Sequence, residues 1–226
     1  IQYCYSTTGS YYVEVGVTAY GSAPVDTLFY EDFSTGIGGF ATFDLDGNPP
    51  VINPPFDGTN STAWVGNDPT WGPGTAISTS WYTSVLTSDD WMISPAIALN
   101  ANSSLYWEAE SYSSGFPDGY EVRISTTTQT TAGCLANPAL FTIAAENAYS
   151  SPRSIDLAAA GYANQTVYIA FRNISTDMYV LSIDDVLVGS SGAGCSAELQ
   201  RTDFVDIVDC SITEPTAARN TSTPTD

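Results

Sequence analysis

Apolar and polar positions along this chain follow the pattern of short strands. Residues 11–20 alternate with a period of two, placing Val13, Val15, Val17 and Ala19 on one face. Apolar or alternating runs recur at 28–33, 91–99, 105–111, 120–125, 140–144, 167–173, 179–188 and 204–210. Gly, Pro, Asn and Asp punctuate them, the arrangement of a sandwich built from many strands. Helical periodicity is nearly absent, and the alanine-rich residues 156–163 predict one turn at most. The pattern predicts an all-β fold.

One stretch, 168–189, reads YIAFRNISTDMYVLSIDDVLVG. Two apolar patterns flank a polar turn, and the second carries the paired carboxylates Asp184 and Asp185 among β-branched residues. Charged side chains are rarely buried unless paired or bound to a cation. The pair therefore reads either as ligands of an oxygen-loving ion such as Ca²⁺ or as charges turned outward on an edge strand.

Charge sharpens the picture. The 226 residues hold 25 acids against five arginines, with no lysine or histidine, for a formal net charge of −20. Such a surface repels nucleic acid and anionic membrane, because phosphate binding needs a positive patch. No apolar run approaches the roughly 20 residues that span a bilayer, so membrane insertion is not expected. Ser and Thr make up about a quarter of the chain, which suits a glycan-coated exterior. An Ile at position 1 is consistent with an upstream signal having been removed, and secretion to an extracellular or cell-surface location is the expectation. The four cysteines, Cys4, Cys134, Cys195 and Cys210, lack metal-site spacing and read as disulfide partners, with the pairing open. Sequons mark Asn60, Asn102, Asn164, Asn173 and Asn220 as candidate glycosylation sites.

Three segments carry a family resemblance. Residues 29–33 read FYEDF and are followed by DLDGN at 44–48; residues 88–95 read SDDWMISP; the third is the IDDVLV run already quoted. In this order they resemble the cleaved-adhesin (choice-of-anchor J) family, jelly-roll domains related in architecture to MAM domains, over about residues 27–189. The resemblance implies a jelly-roll β-sandwich; residues 1–26 and 190–226 lie outside it, and there the residue pattern predicts an extra strand before the sandwich and a strand plus tail after it. It also implies that Glu31 or Asp32 lies beside Asp185, a place for calcium. Asp44 and Asp46 open a D-x-D-G-N loop that supplies further carboxylates, although Pro49 and Pro50 interrupt any complete EF-hand pattern. Asp89 and Asp90 are weaker candidates that could instead cap the turn before Trp91.

The region 49–82 departs from the family pattern. It is rich in Pro, Gly and Asn and holds Trp64, Trp71, Trp81 and Tyr82. Aromatics in a polar loop serve either to anchor it or to contact a subunit, or else to stack on sugar rings. Both readings stay open. Catalysis is the weaker idea: Glu108 and Glu110 share a strand face as glycosidase carboxylates could, but no histidine, nucleophile elbow or phosphate loop is present.

The flanks suggest assembly. An alternating strand precedes the domain and a Thr/Pro-rich tail follows it. Donation of the first strand to another copy of the same chain would build an open, head-to-tail filament. The expected function is a calcium-stabilised subunit of such an extracellular filament; the alternative is a carbohydrate-binding or adhesive module of a surface protein, with glycans as partners.

Overall fold

In the computed structural model, residues 9–14, 26–52, 55–56, 63–190 and 202–207 are described. Cys4, Cys195, Cys210, Asn60 and Asn220 lie outside them. Two compact units form, one from the chain's two flanks and one from residues 21–194.

In the flank unit, β1 (Gly9–Glu14) pairs antiparallel with the C-terminal strand Thr202–Ile207, in a register running from Gly9 opposite Ile207 to Glu14 opposite Thr202. The first strand is therefore hydrogen-bonded within its own chain. The expected donation of that strand to a second copy has no support here, because the strand that would be donated already has a partner.

Among the described residues, the larger unit holds twelve strands. They are β2 (Asp26–Glu31), β3 (Ala41–Asp44), β4 (Val65–Asp68), β5 (Gly72–Thr79), β6 (Asp90–Ile93), β7 (Ile97–Ala98), β8 (Ser103–Ser111), β9 (Tyr120–Ser125), β10 (Phe141–Ile143), β11 (Ser151–Asp156), β12 (Thr166–Asn173) and β13 (Val180–Ser190). One sheet has the order β10-β9-β12-β6-β3, with β7 also on β12. The other has the order β11-β8-β13-β5-β4, with β2 also on β13. All pairings are antiparallel, and the two sheets make the expected jelly-roll sandwich.

Alternation explains the layers. β8 buries Ser103, Leu105, Trp107, Ala109 and Ser111 and turns the residues between them outward. Trp107 fills the centre, meeting the rings of Phe141 and Phe171 edge-on at 5.4 and 5.8 Å. β6 is buried on both faces. Met92 joins the inter-sheet core, while Trp91 and Ile93 pack outward with Ala170 and Cys134, on the short helix α1 (Thr131–Leu135). Cys134 carries a free, buried thiol, so its expected disulfide is overturned: the residue serves as an apolar filler. Burial pushes that thiol up to about 11.

Region 49–82, read as a loop, contains β4 and β5. Their Gly/Pro content hid them, since Gly72-Pro73-Gly74 carries no strand signal. Ile52, Phe56, Val65, Ile77 and Val180 form a second apolar cluster there, which anchors the region to the sandwich. The apolar run 91–99 is split into β6 and β7 around Pro95, which has no N–H for the ladder. Among the described residues no helix is long and apolar enough to cross a membrane.

Candidate functional site

Strand ends converge at one end of the sandwich. Asp44 and Asn173 both lie opposite Asp90, and Asn173 also lies opposite Tyr120. In the second sheet Val180 lies opposite Thr79 and Leu181 opposite Ser111. Asn173 Nδ2 donates to Ser78 Oγ (3.2 Å) and Ser80 Oγ to Asp118 Oδ1 (3.0 Å), which ties the two sheets together at this level. The described parts of the first loop (45–52, 55–56 and 63–64) and the loops 80–89, 112–119 and 174–179 therefore share one end.

Three carboxylates meet at its corner. Asp44, Asp46 and Asp90 place oxygens within 4.8 Å of one another. The register of β3 on β6 brings Asp90 beside Asp44, and the turn after β3 returns Asp46 to them. Asp44 Oδ1 accepts from Gly47 N (2.6 Å), and Gly47, at φ 63°, takes the left-handed conformation the turn requires. Asp46 Oδ2 accepts from Asp89 N (2.6 Å), and Tyr82 Oη donates to both Asp46 (3.3 Å) and Asp90 (3.0 Å). Burial, then the charges of Asp46 and Asp44, push the Asp90 carboxyl up to about 8, against the opposing hydrogen bonds of Ser88 and Tyr82. Asp89 faces the other way and accepts from Arg172 Nε (2.7 Å) and Trp91 Nε1 (2.6 Å). Strand alternation separates the two acids of the SDDW run, and Asp90, a weaker candidate in the sequence, is the one that joins the cluster.

The other four expected ligands lie elsewhere, around an irregularity in β13. Its first half pairs with β5 and its second with β2, and the β8 register shifts between Asp184 and Leu187. Asp185 adopts φ 48° and accepts from Tyr30 Oη (2.5 Å), raising that phenol to about 12. Burial, with Asp185, Asp32 and Glu108 nearby, pushes Asp184 up to about 6. Glu31 turns away to accept from Phe33 N (2.9 Å), where a side chain at Gly38 would collide with it. Asp32 caps Ser34 through Oδ1, which holds its carboxyl below the usual range. Glu31, Asp32, Asp184 and Asp185 do not join the three-acid cluster. Glu108 and Glu110 lie on the outer face of β8, where Ser150 Oγ donates to Glu108 (2.6 Å).

The aromatic candidates divide. Trp64 and Tyr82 are buried, with Trp64 donating to Asp90 O (3.1 Å). Trp71 and Trp81 both lean on Tyr179, at 6.1 and 5.6 Å between ring centroids, and Trp81 is 38% exposed. Of the sequons, Asn102 and Asn164 are exposed. Asn173 is wholly buried, bonded to Ser78 and Ser175, so glycosylation there is overturned. A separate cleft of about 290 Å³ is lined by Gly36, Ile37, Trp64, Gly66, Asn67 and Asp68. Asn67 in it is already bonded through both side-chain atoms, to Ser34 O and Gly74 N.

Sequence reasoning missed Asp118. It is completely buried, with Oδ1 accepting from Ser80 and Oδ2 lacking a hydrogen-bond partner. Burial pushes its carboxyl up to about 7, against opposing hydrogen bonds led by Ser80. The run Phe-Pro-Asp-Gly reads as an ordinary exposed turn, so no local signal could have found it.

Comparison with known proteins agrees with this architecture. The K3 cleaved adhesin domain of Lys-gingipain from Porphyromonas gingivalis is 19% identical, with a TM-score of 0.57 over 73% of this chain and 99% of that one. The K1 domain of the same protein is 26% identical, with a TM-score of 0.53 over 73% and 98%. Curated protein sequences give no match. The family model of the Cleaved Adhesin Domain matches residues 28–188, and the chain belongs to that family.

Proposed function

We propose that this chain is an extracellular, non-catalytic adhesion module that binds carbohydrate. The observation that carries the reading is the adhesin-family match across the whole sandwich, from the first sheet strand to the last. The partly exposed Trp81 ring, backed by Tyr179, supports a saccharide as the ligand class. The test is adhesion of immobilised protein to surfaces coated with defined glycans. Retention on at least one glycan is expected; no retention on any of a broad set would end the reading.

Calcium is the proposed cofactor, at Asp44, Asp46 and Asp90. The donors fit, because all three offer carboxylate oxygens, the hard ligands that ion takes. When bound, the ion would neutralise like charges that are partly removed from water. The chain's own contribution is to hold these acids in register and to occupy their remaining lone pairs with Tyr82, Ser88 and backbone N–H groups.

A further inference from the structure

The geometry points to one surface for that binding, and to one kind of glycan: the end of the sandwich formed by Val51, Trp81, Phe116 and Tyr179 receives an uncharged saccharide. This inference rests on the carbohydrate-binding reading above and adds its place and its selectivity.

The four residues come from four separate segments that are fastened to one another. Val51 N donates to Trp81 O (2.8 Å), and Tyr179 N donates to Phe116 O (3.2 Å). The Trp81 ring rests against Tyr179, which meets Trp71 in turn. Val51, Trp81 and Phe116 are 40%, 38% and 60% exposed, while Tyr179 is half-buried between its two tryptophans. Large apolar side chains brought together at a loop end in this way mark a contact surface.

Beneath them lies a polar layer that holds the loops in place. Met178 N donates to Ser80 Oγ (3.0 Å), Thr79 Oγ1 to Tyr179 O (2.6 Å), Asp118 N to Ser111 Oγ (3.0 Å) and Gly119 N to Ser175 Oγ (2.6 Å). Buried Asp118 links the layer through Ser80. A surface already fastened loses little freedom on binding, which favours a ligand that brings modest contact area.

Charge selects the ligand. Although the protein carries −20, residues 80–88 and 112–117 contain no charged side chain, 174–179 contains only Asp177, and the described residues of the Val51 loop contain only Asp46, which is held in the three-acid corner by Tyr82 and Asp89 N. Ser and Thr are the commonest residues there: Thr83, Ser84, Thr87, Ser113, Ser114 and Thr176. A polyanion would be repelled by the rest of the molecule, and a second copy would bring its own −20. An uncharged sugar meets neither obstacle. Its C–H faces suit the rings of Trp81 and Phe116, and its hydroxyls suit a surface rich in Ser and Thr.

The test is affinity electrophoresis through gels containing soluble β-glucan, xylan or galactomannan, with polygalacturonate and heparin as anionic counterparts. Retardation by at least one neutral polysaccharide is expected, weakened by about tenfold or more in Trp81→Ala and in Phe116→Ala. Trp81→Tyr keeps a ring and should recover most of the binding. Leu135→Ala, an exposed change on α1 away from this end, should bind as the native protein does. Melting curves of each variant separate lost binding from lost folding. Retardation only by the anionic polymers overturns the inference, as does neutral binding undiminished in a folded Trp81→Ala. In that last case the carbohydrate-binding reading survives and only this surface falls; absence of glycan binding in the native protein removes both.

Discussion

Asp118 illustrates how a single buried carboxyl couples stability to pH. Folding raises it from the ordinary carboxylate range to about 7, chiefly through burial. Between about pH 4 and 7 the folded protein therefore keeps a proton that the unfolded chain has released. The stability this group contributes is complete below about pH 4 and is lost as pH rises through 7. Asp90 and Asp184, raised to about 8 and about 6, act with the same sign. The melting temperature should fall from pH 5 to pH 9, and Asp118→Asn should make that slope shallower; an unaltered slope would rule the group out as a contributor. A second residue-scale prediction concerns Glu146. Its side chain is fully buried, accepts from Tyr120 Oη (3.1 Å), and is paired with Arg153. Removing the cation leaves a buried charge, so Arg153→Met should cost about 3 kcal/mol in urea unfolding. A loss below about 1 kcal/mol would mean that the pair behaves as a solvated surface bridge.

At the scale of elements, close approach and register decide what a residue can be. β4 runs so near the loop after β2 that a Cβ on Gly66 would stand 2.2 Å from the carbonyl carbon of Gly36. Gly66→Ala should therefore force the two backbones apart and lower the melting temperature by several degrees. A neutral result would show that the loop yields freely. The same logic accounts for how far the strands were legible. β8, β9, β12 and β13 announced themselves because each has one face or both in the core, and burial imposes the apolar pattern. β4 and β5 were hidden because glycines and a proline make up much of their length and carry no pattern. Asp184 and Asp185 were found by their incongruity within an apolar run. The structure gives the cause: they sit where β13 passes from one neighbour to the next and the ladder is irregular.

For the whole molecule, the proposed ion and the flank unit each give a measurement. Calcium at a hundredfold excess over its Kd should add about 2.7 kcal/mol, or about 5–10 °C in melting temperature at pH 8. Excess chelator should remove that gain. At pH 5, where Asp90 holds its proton, the chelator should change far less; an unchanged curve at pH 8 would eliminate the site. Because the first strand is paired within its own chain, sedimentation should give one discrete species without growth into fibres, and a rising weight-average mass with concentration would revive assembly between copies.

By itself the sequence determined the fold class, the family and the strongly acidic charge. Each is written in local signals: alternation of period two, short motifs in order, and the count of charges. Only the tertiary structure decided which acids meet, which aromatics remain exposed, and that Asn173 and Cys134 are buried. These depend on register between segments far apart in the chain. Asp44 and Asp90 become neighbours only when β3 pairs with β6, and Trp81 and Phe116 come to one surface only because Tyr179, far along the chain from both, touches each of them.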